Sequence, residues 1–129
     1  MQFTQFMDKY PVLSLELLKS QTRFTSVDEI LAVLEARVEA SPVACKIALF
    51  DHYAHTSALP EGEIADDILA AKHLVFCFGI KLPTPLAMAV RPRSIGVTEL
   101  NDRFVVSFME APNPQMNDTL KQWVTALND

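Results

Sequence analysis

The densest group of chemically capable side chains is Asp51-His52-Tyr53-Ala54-His55, followed by Glu61 and Glu63. Two imidazoles three residues apart beside a carboxylate are legitimate ligands for zinc or another first-row metal. Whether Asp51, His52 and His55 can share an ion depends on the backbone. An extended chain points the two rings to opposite faces, whereas a helical turn brings them to one side. A further ligand would have to come from His73, Cys45, Cys77 or a glutamate. The competing reading is a polar loop in which one histidine bonds a backbone carbonyl.

Arg91-Pro92-Arg93-Ser94 is the second group. On an extended segment, arginines at i and i+2 share a face, and Pro92 restricts the backbone between them. Two converging guanidinium groups suit a carboxylate or a phosphate, and Lys81 on the preceding turn would add a third charge. Against this stands a plain structural role, either in exposed ion pairs or as the charged guard of a sheet edge.

Cys77 lies between Phe76 and Phe78. A reactive thiol needs a positive neighbour or a helix N-terminus to lower its pKa. An apolar strand predicts the opposite, an inert buried thiol, with His73 the only nearby base. Cys45 and Cys77 are too far apart in sequence for a Cys-x-x-Cys redox motif. There is no glycine-rich phosphate loop, dinucleotide fingerprint, serine nucleophile elbow or His-Glu-x-x-His helix.

Half of the 129 residues are hydrophobic and 21% are charged, which predicts one folded globule. The net charge of −5 disfavours nucleic acid and anionic membrane surfaces as partners. No apolar run reaches the roughly 18 residues of a membrane helix. Met1 to Lys9 has neither the basic start nor the apolar centre of a signal peptide. With only two cysteines, the expectation is reduced thiols in a cytoplasm.

The elements that must position these residues follow from periodicity. Phe3, Phe6 and Met7 predict a turn of helix within an N-terminal extension over 1–13, and Leu15 to Phe24 a strand. Ser26-Val27-Asp28-Glu29 reads as a capping box. Val27, Ile30, Leu31, Leu34 and Val38 continue it as a helix that Ser41-Pro42 stops. Val43 to Phe50 reads as a buried strand, Asp51 to Gly62 as a loop or lid, Ile64 to Lys72 as a helix, and Leu74 to Phe78 as a short strand. Pro83-Thr84-Pro85 opens a brief helical turn through Ala89. Ile95 to Leu100 and Phe104 to Met109 flank Asn101-Asp102 as a hairpin. Asn113-Pro114 starts a last helix striped by Met116, Leu120, Trp123, Val124 and Leu127. Hairpins mixed with helical crossovers predict a single α+β domain over 1–129, a mainly antiparallel or mixed sheet with helices on one face.

In the second half, Phe78-Gly79, the proline turn, Val90-Arg91-Pro92-Arg93, the hairpin and Glu110-Ala111-Pro112 form an ordered set of features. Together they resemble the small bacterial family called domain of unknown function 302, over roughly residues 20 to 127. The resemblance implies a compact, dimeric α+β sandwich with no assigned reaction, and it carries over no site residue. Two functions stay open. One is a non-catalytic homodimeric module that grips a small anion through Arg91, Arg93 and Lys81. The other is a small metal-binding protein or metal-dependent enzyme centred on Asp51, His52 and His55. No cofactor is legible, and exposed Phe3, Phe6 and Met7, or Trp123 and Met116, would supply the dimer contact.

Overall fold

The computed structural model describes residues 1–129. In chain order the elements are β1 (Gln2–Phe6), β2 (Tyr10–Leu18), α1 (Val27–Ala40), β3 (Ala44–Asp51), α2 (His52–Ser57), β4 (Ala70–Phe78), β5 (Arg93–Glu99), β6 (Arg103–Met109) and α3 (Pro114–Thr125). A 3-10 turn spans Pro85–Val90 and another, Ala126–Asn128, extends α3. The strands form one sheet in the order β1-β2-β6-β5-β4-β3, and every neighbouring pair is antiparallel. The expected α+β class is the one observed.

Alternation along the strands decides which face is buried. Leu13, Leu15 and Leu17 of β2, Leu74, Phe76 and Phe78 of β4, Ile95 and Val97 of β5, and Phe104, Val106 and Phe108 of β6 all point under the helices. Against them α1 buries Val27, Ile30, Leu31, Leu34 and Val38, and α3 buries Leu120 and Val124. Each such aliphatic side chain contributes about 1.5–3 kcal/mol when fully removed from water. Trp123 closes this layer, 6.1 Å from the Phe76 ring and 5.8 Å from the Phe78 ring. The opposite face carries Ser14, His73, Val75, Cys77, Gly96, Thr98 and Ser107, all partly open to solvent.

Local chemistry starts both long helices where the sequence places them. Ser26 Oγ accepts from the Glu29 amide at 3.1 Å. The Glu29 carboxylate reaches one residue further back than a simple capping box, accepting from the Thr25 amide at 3.0 Å and from the Thr25 hydroxyl. Those bonds, the hydroxyl's first, hold the exposed Glu29 carboxyl below its ordinary pKa. At α3, Asn113 Oδ1 accepts from the Gln115 and Met116 amides at 2.9 and 3.3 Å.

Four local expectations are corrected. Phe3, Phe6 and Met7 belong to strand β1 and its turn instead of a helix, so residues 2–18 are the first hairpin of the sheet. The next strand runs over Tyr10–Leu18 and stops well before Phe24. β3 is an exposed edge, not a buried strand, because no further strand lies beyond it and a bulge between Lys46 and Ala48 twists it outward. Residues 64–69 make a turn where a helix was expected, and β4 already begins at Ala70, opposite Glu99.

One buried polar contact ties α3 to the end of the sheet. Asn117, 7% exposed, accepts from the Ala111 amide through Oδ1 at 3.0 Å. Asn117→Ala strands that buried N–H, so urea unfolding is expected to show a loss of about 1–3 kcal/mol.

Candidate functional site

Where β4 leaves the sheet, Gly79 adopts φ +118°, a conformation open to glycine and strained for other residues. A Cβ there would sit 2.6 Å from Met116 Cε and 3.4 Å from Arg91 Nη2. The glycine therefore lets the chain turn tightly between α3 and the start of β5. Beyond it the segment to Val90 forms a flap on which Ile80, Leu82, Leu86 and Met88 are 61–79% exposed. Thr84 caps the flap's 3-10 turn by accepting from the Leu86 amide at 3.2 Å.

Between this flap, the start of β5 and the first turn of α3 lies a cavity of about 410 Å³. Phe78, Leu86, Val90 and Met116 give it apolar walls, and Arg91 and Arg93 are its charged lining. The structure thus brings together the two arginines that the sequence singles out. Lys81 lines an adjoining recess with Cys77 and Arg91. Its backbone carbonyl, not its ammonium, meets the Arg91 guanidinium, at 2.8 Å.

Neither arginine is paired with a carboxylate. The ion pairs of the molecule use Lys19, Lys46, Lys72 and Arg103. Arg93 donates to the carbonyls of Val90, at 3.4 Å, and Met109, while its Nε is buried without any partner. Burial pulls its pKa below the usual arginine value. Arg103 Nε, also without a hydrogen bond, differs because Glu16 stands 3.4 Å away to balance its charge. The side-chain oxygen of Asn113 occupies the first amides of α3, so an anion in this cavity would meet guanidinium groups before it met free helix amides. A larger cleft of about 670 Å³, between the end of β2 and the chain's last residues, has its one arginine, Arg23, bonded to the Asp129 carbonyl.

The Asp51, His52 and His55 segment becomes the start of α2. Asp51 caps it by accepting from the Ala54 amide at 2.9 Å, and its other carboxylate oxygen lies 3.9 Å from Lys72 Nζ. The His52 ring centre is 6.0 Å from that of His55 and 5.4 Å from that of His73. The Phe50 ring stands 5.5–6.4 Å from all three. No three His, Cys, Asp or Glu side chains gather closely enough to hold a metal ion. The Phe50 ring packs beside the imidazoles, and the carboxylate is committed to the backbone and a lysine.

Cys45 and Cys77 are both free and stand directly opposite each other across β3 and β4. Cys45 is exposed and Cys77 half-buried on the open face of the sheet, which corrects the expectation of a thiol enclosed by its phenylalanine neighbours. Those phenylalanines point to the other face. Sequence reasoning missed Met116, Leu86 and Phe78 as walls of the cavity. Only Gly79, which opens a turn of uncommon conformation, signals in the sequence that these residues meet.

Fold and site together define a small α+β protein whose single sheet is helix-covered on one face and whose apolar cavity is edged by two unpaired arginines. The family model described as "Family of unknown function (DUF6858)" matches residues 1–129, and the chain belongs to that family. The likeness to domain of unknown function 302 is not confirmed by this match. No curated protein and no solved structure matches the chain. No helix is long and apolar enough to cross a membrane.

His73, on the open face of the sheet and away from the arginine cavity, has its own pH signature. Its ring lies against Gly96, and burial, followed by the charge of His52, lowers its pKa from 6.5. The folded state therefore resists a proton that the unfolded chain accepts near pH 6.5. Stability is fully present above that pH and is expected to fall as acid is added, until the lower folded pKa is passed. Chemical denaturation from pH 7.5 to 5 should show this slope, and His73→Gln should flatten it.

Proposed function

We propose that the protein is a non-catalytic binding module for a small anionic ligand with an apolar body, held at Arg91 and Arg93. The observation that carries this reading is the Arg93 guanidinium, part-buried beside an apolar cavity with one N–H unpartnered and no carboxylate near enough to pair. A part-buried cation without a counter-ion costs stability, and an incoming carboxylate or phosphate relieves that cost through charge-assisted hydrogen bonds. The cavity is within the usual size range of small-molecule sites, which combine apolar walls with a few placed polar groups. Here the anion would meet the guanidinium groups while its hydrocarbon part lay along Phe78, Leu86 and Met116. Gly79 bears on the same wall: a Cβ there would meet Met116 Cε at 2.6 Å, so a larger residue would displace this cavity-lining side chain. The alternative of a metal-dependent enzyme at Asp51, His52 and His55 has no comparable observation in its favour.

Benzoate is a suitable probe, with benzamide as its uncharged counterpart. At ten times its Kd, benzoate is expected to stabilise the fold by about 1.4 kcal/mol. For a chain of this length that is roughly 4–6 °C in Tm. Benzamide should give little shift, and Arg93→Met should abolish the benzoate effect while retaining cooperative melting. Equal shifts from the two compounds, or a benzoate shift that survives Arg93→Met, would contradict the proposal.

A further inference from the structure

The two edges of the sheet are treated differently. The β3 edge is guarded by the bulge between Lys46 and Ala48 and by the chain turning directly into α2. The β1 edge has none of these devices. Its sequence, Gln2-Phe3-Thr4-Gln5-Phe6, contains no charge and no proline, and it pairs with β2 through five consecutive residues without a bulge. No strand lies on its outer side, and β2 is its one substantial neighbour. All five residues are exposed, Phe3 by 54% and Phe6 by 56%, with Met7 at 69% and Tyr10 at 46% beside them. A regular, uncharged edge without a bulge is a template for another strand.

We infer that β1 pairs antiparallel with β1 of a second copy of this chain, joining two sheets into one across a twofold axis. Three observations select a second copy over a different protein. An antiparallel pair of identical strands satisfies a twofold axis normal to the sheet, so each copy offers what the other lacks. With Thr4 on that axis, Phe3 faces Gln5 of the second copy, and the two Phe3 rings become diagonal neighbours on one face. The strand carries no charge, so two copies meet there without repulsion, although each has a net charge of −5.

The area agrees. The chain exposes 8118 Å², against roughly 6,800 Å² expected for a folded monomer of 14.4 kDa. An excess of about 1,300 Å² exceeds the roughly 800 Å² per partner of a standard interface. Phe3 and Phe6, on opposite faces of β1, and Met7 and Tyr10 beside them are exposed apolar residues at this edge. The inference is independent of the anion site, which lies on the far side of β2 and β6.

Light scattering coupled to gel filtration of the full chain tests it. The expected result is a mass of twice 14.4 kDa, with Thr4→Lys and Phe3→Ala each weakening the dimer at least tenfold while circular dichroism and Tm stay close to wild type. Thr4 is exposed, so a lysine there leaves the monomer intact and sets two like charges together at the axis. Should a variant fail to fold, hydrogen exchange on the wild-type chain decides instead. Concentrated protein should protect β1 amides that exchange freely on dilution. A monomer at tens of micromolar, a dimer indifferent to both substitutions, or β1 amides that exchange equally at all concentrations overturns the inference.

Discussion

Six strands at about 4.8 Å spacing span roughly 24 Å between the outermost backbones, and two helices of about 10 Å diameter cover only the middle of such a sheet. The helices α1 and α3 lie over β2, β4, β5 and β6, where the buried leucines, phenylalanines and valines are found. What they leave uncovered is β1 at one edge and the gap beside the first turn of α3 where the flap stands, whereas at the other edge α1 reaches β3, Glu35 pairing with Lys46. The exposed strand and the cavity thus have a common origin in coverage. The two long helices do not extend over the β1 side of the sheet.

Within that frame Arg93 is placed at a cost. It opens β5 on the helix side of the sheet, where Ile95 and Val97 continue as core, so its stem follows an apolar path and its head ends at the cavity. Two carbonyls satisfy part of the guanidinium, but carbonyl dipoles do not neutralise a full charge. The exposed pair between Lys72 and Asp28, at 2.7 Å, is different in kind: both groups face water and such pairs contribute at most about 1 kcal/mol. A part-buried charge kept from carboxylates is a poor device for stability and a good one for recognising an anion.

Much of this organisation is legible in the sequence, for reasons that differ by element. The α1 helix is fixed locally, by Ser26 and Glu29 at one end and Ser41-Pro42 at the other, and α3 by Asn113-Pro114. The β5–β6 hairpin follows from alternation on both sides of Asn101-Asp102. The first hairpin does not, because its turn places Met7 and Asp8 at φ 54° and 58°, and methionine is no signal for a left-handed turn. Ile64 to Lys72 shows helical spacing, yet Ala70 and Lys72 are claimed by pairing with β5 across the sheet, a long-range choice that local pattern cannot reveal. The arginine pair is legible as two cations flanking one proline, although Pro92 is a bend and only Arg93 belongs to β5. The cavity walls are not, since Phe78, Leu86 and Met116 meet only through tertiary structure. The histidine segment shows the opposite failure: its composition suggests ligands, while its backbone assigns Asp51 to a helix cap.

The anion proposal rests on the Arg93 guanidinium, part-buried at the cavity with its Nε–H unpaired. Side-chain arginine NMR, following each Nε–H resonance during a benzoate titration, addresses that atom directly. If benzoate binds there, the Arg93 resonance moves in a saturable way and exchanges more slowly with water as ligand fills the cavity, with Arg91 following and Arg37, on α1, unmoved. An Arg93 resonance that stays fixed at saturating benzoate, or shifts no larger than those of Arg37, would contradict the proposal.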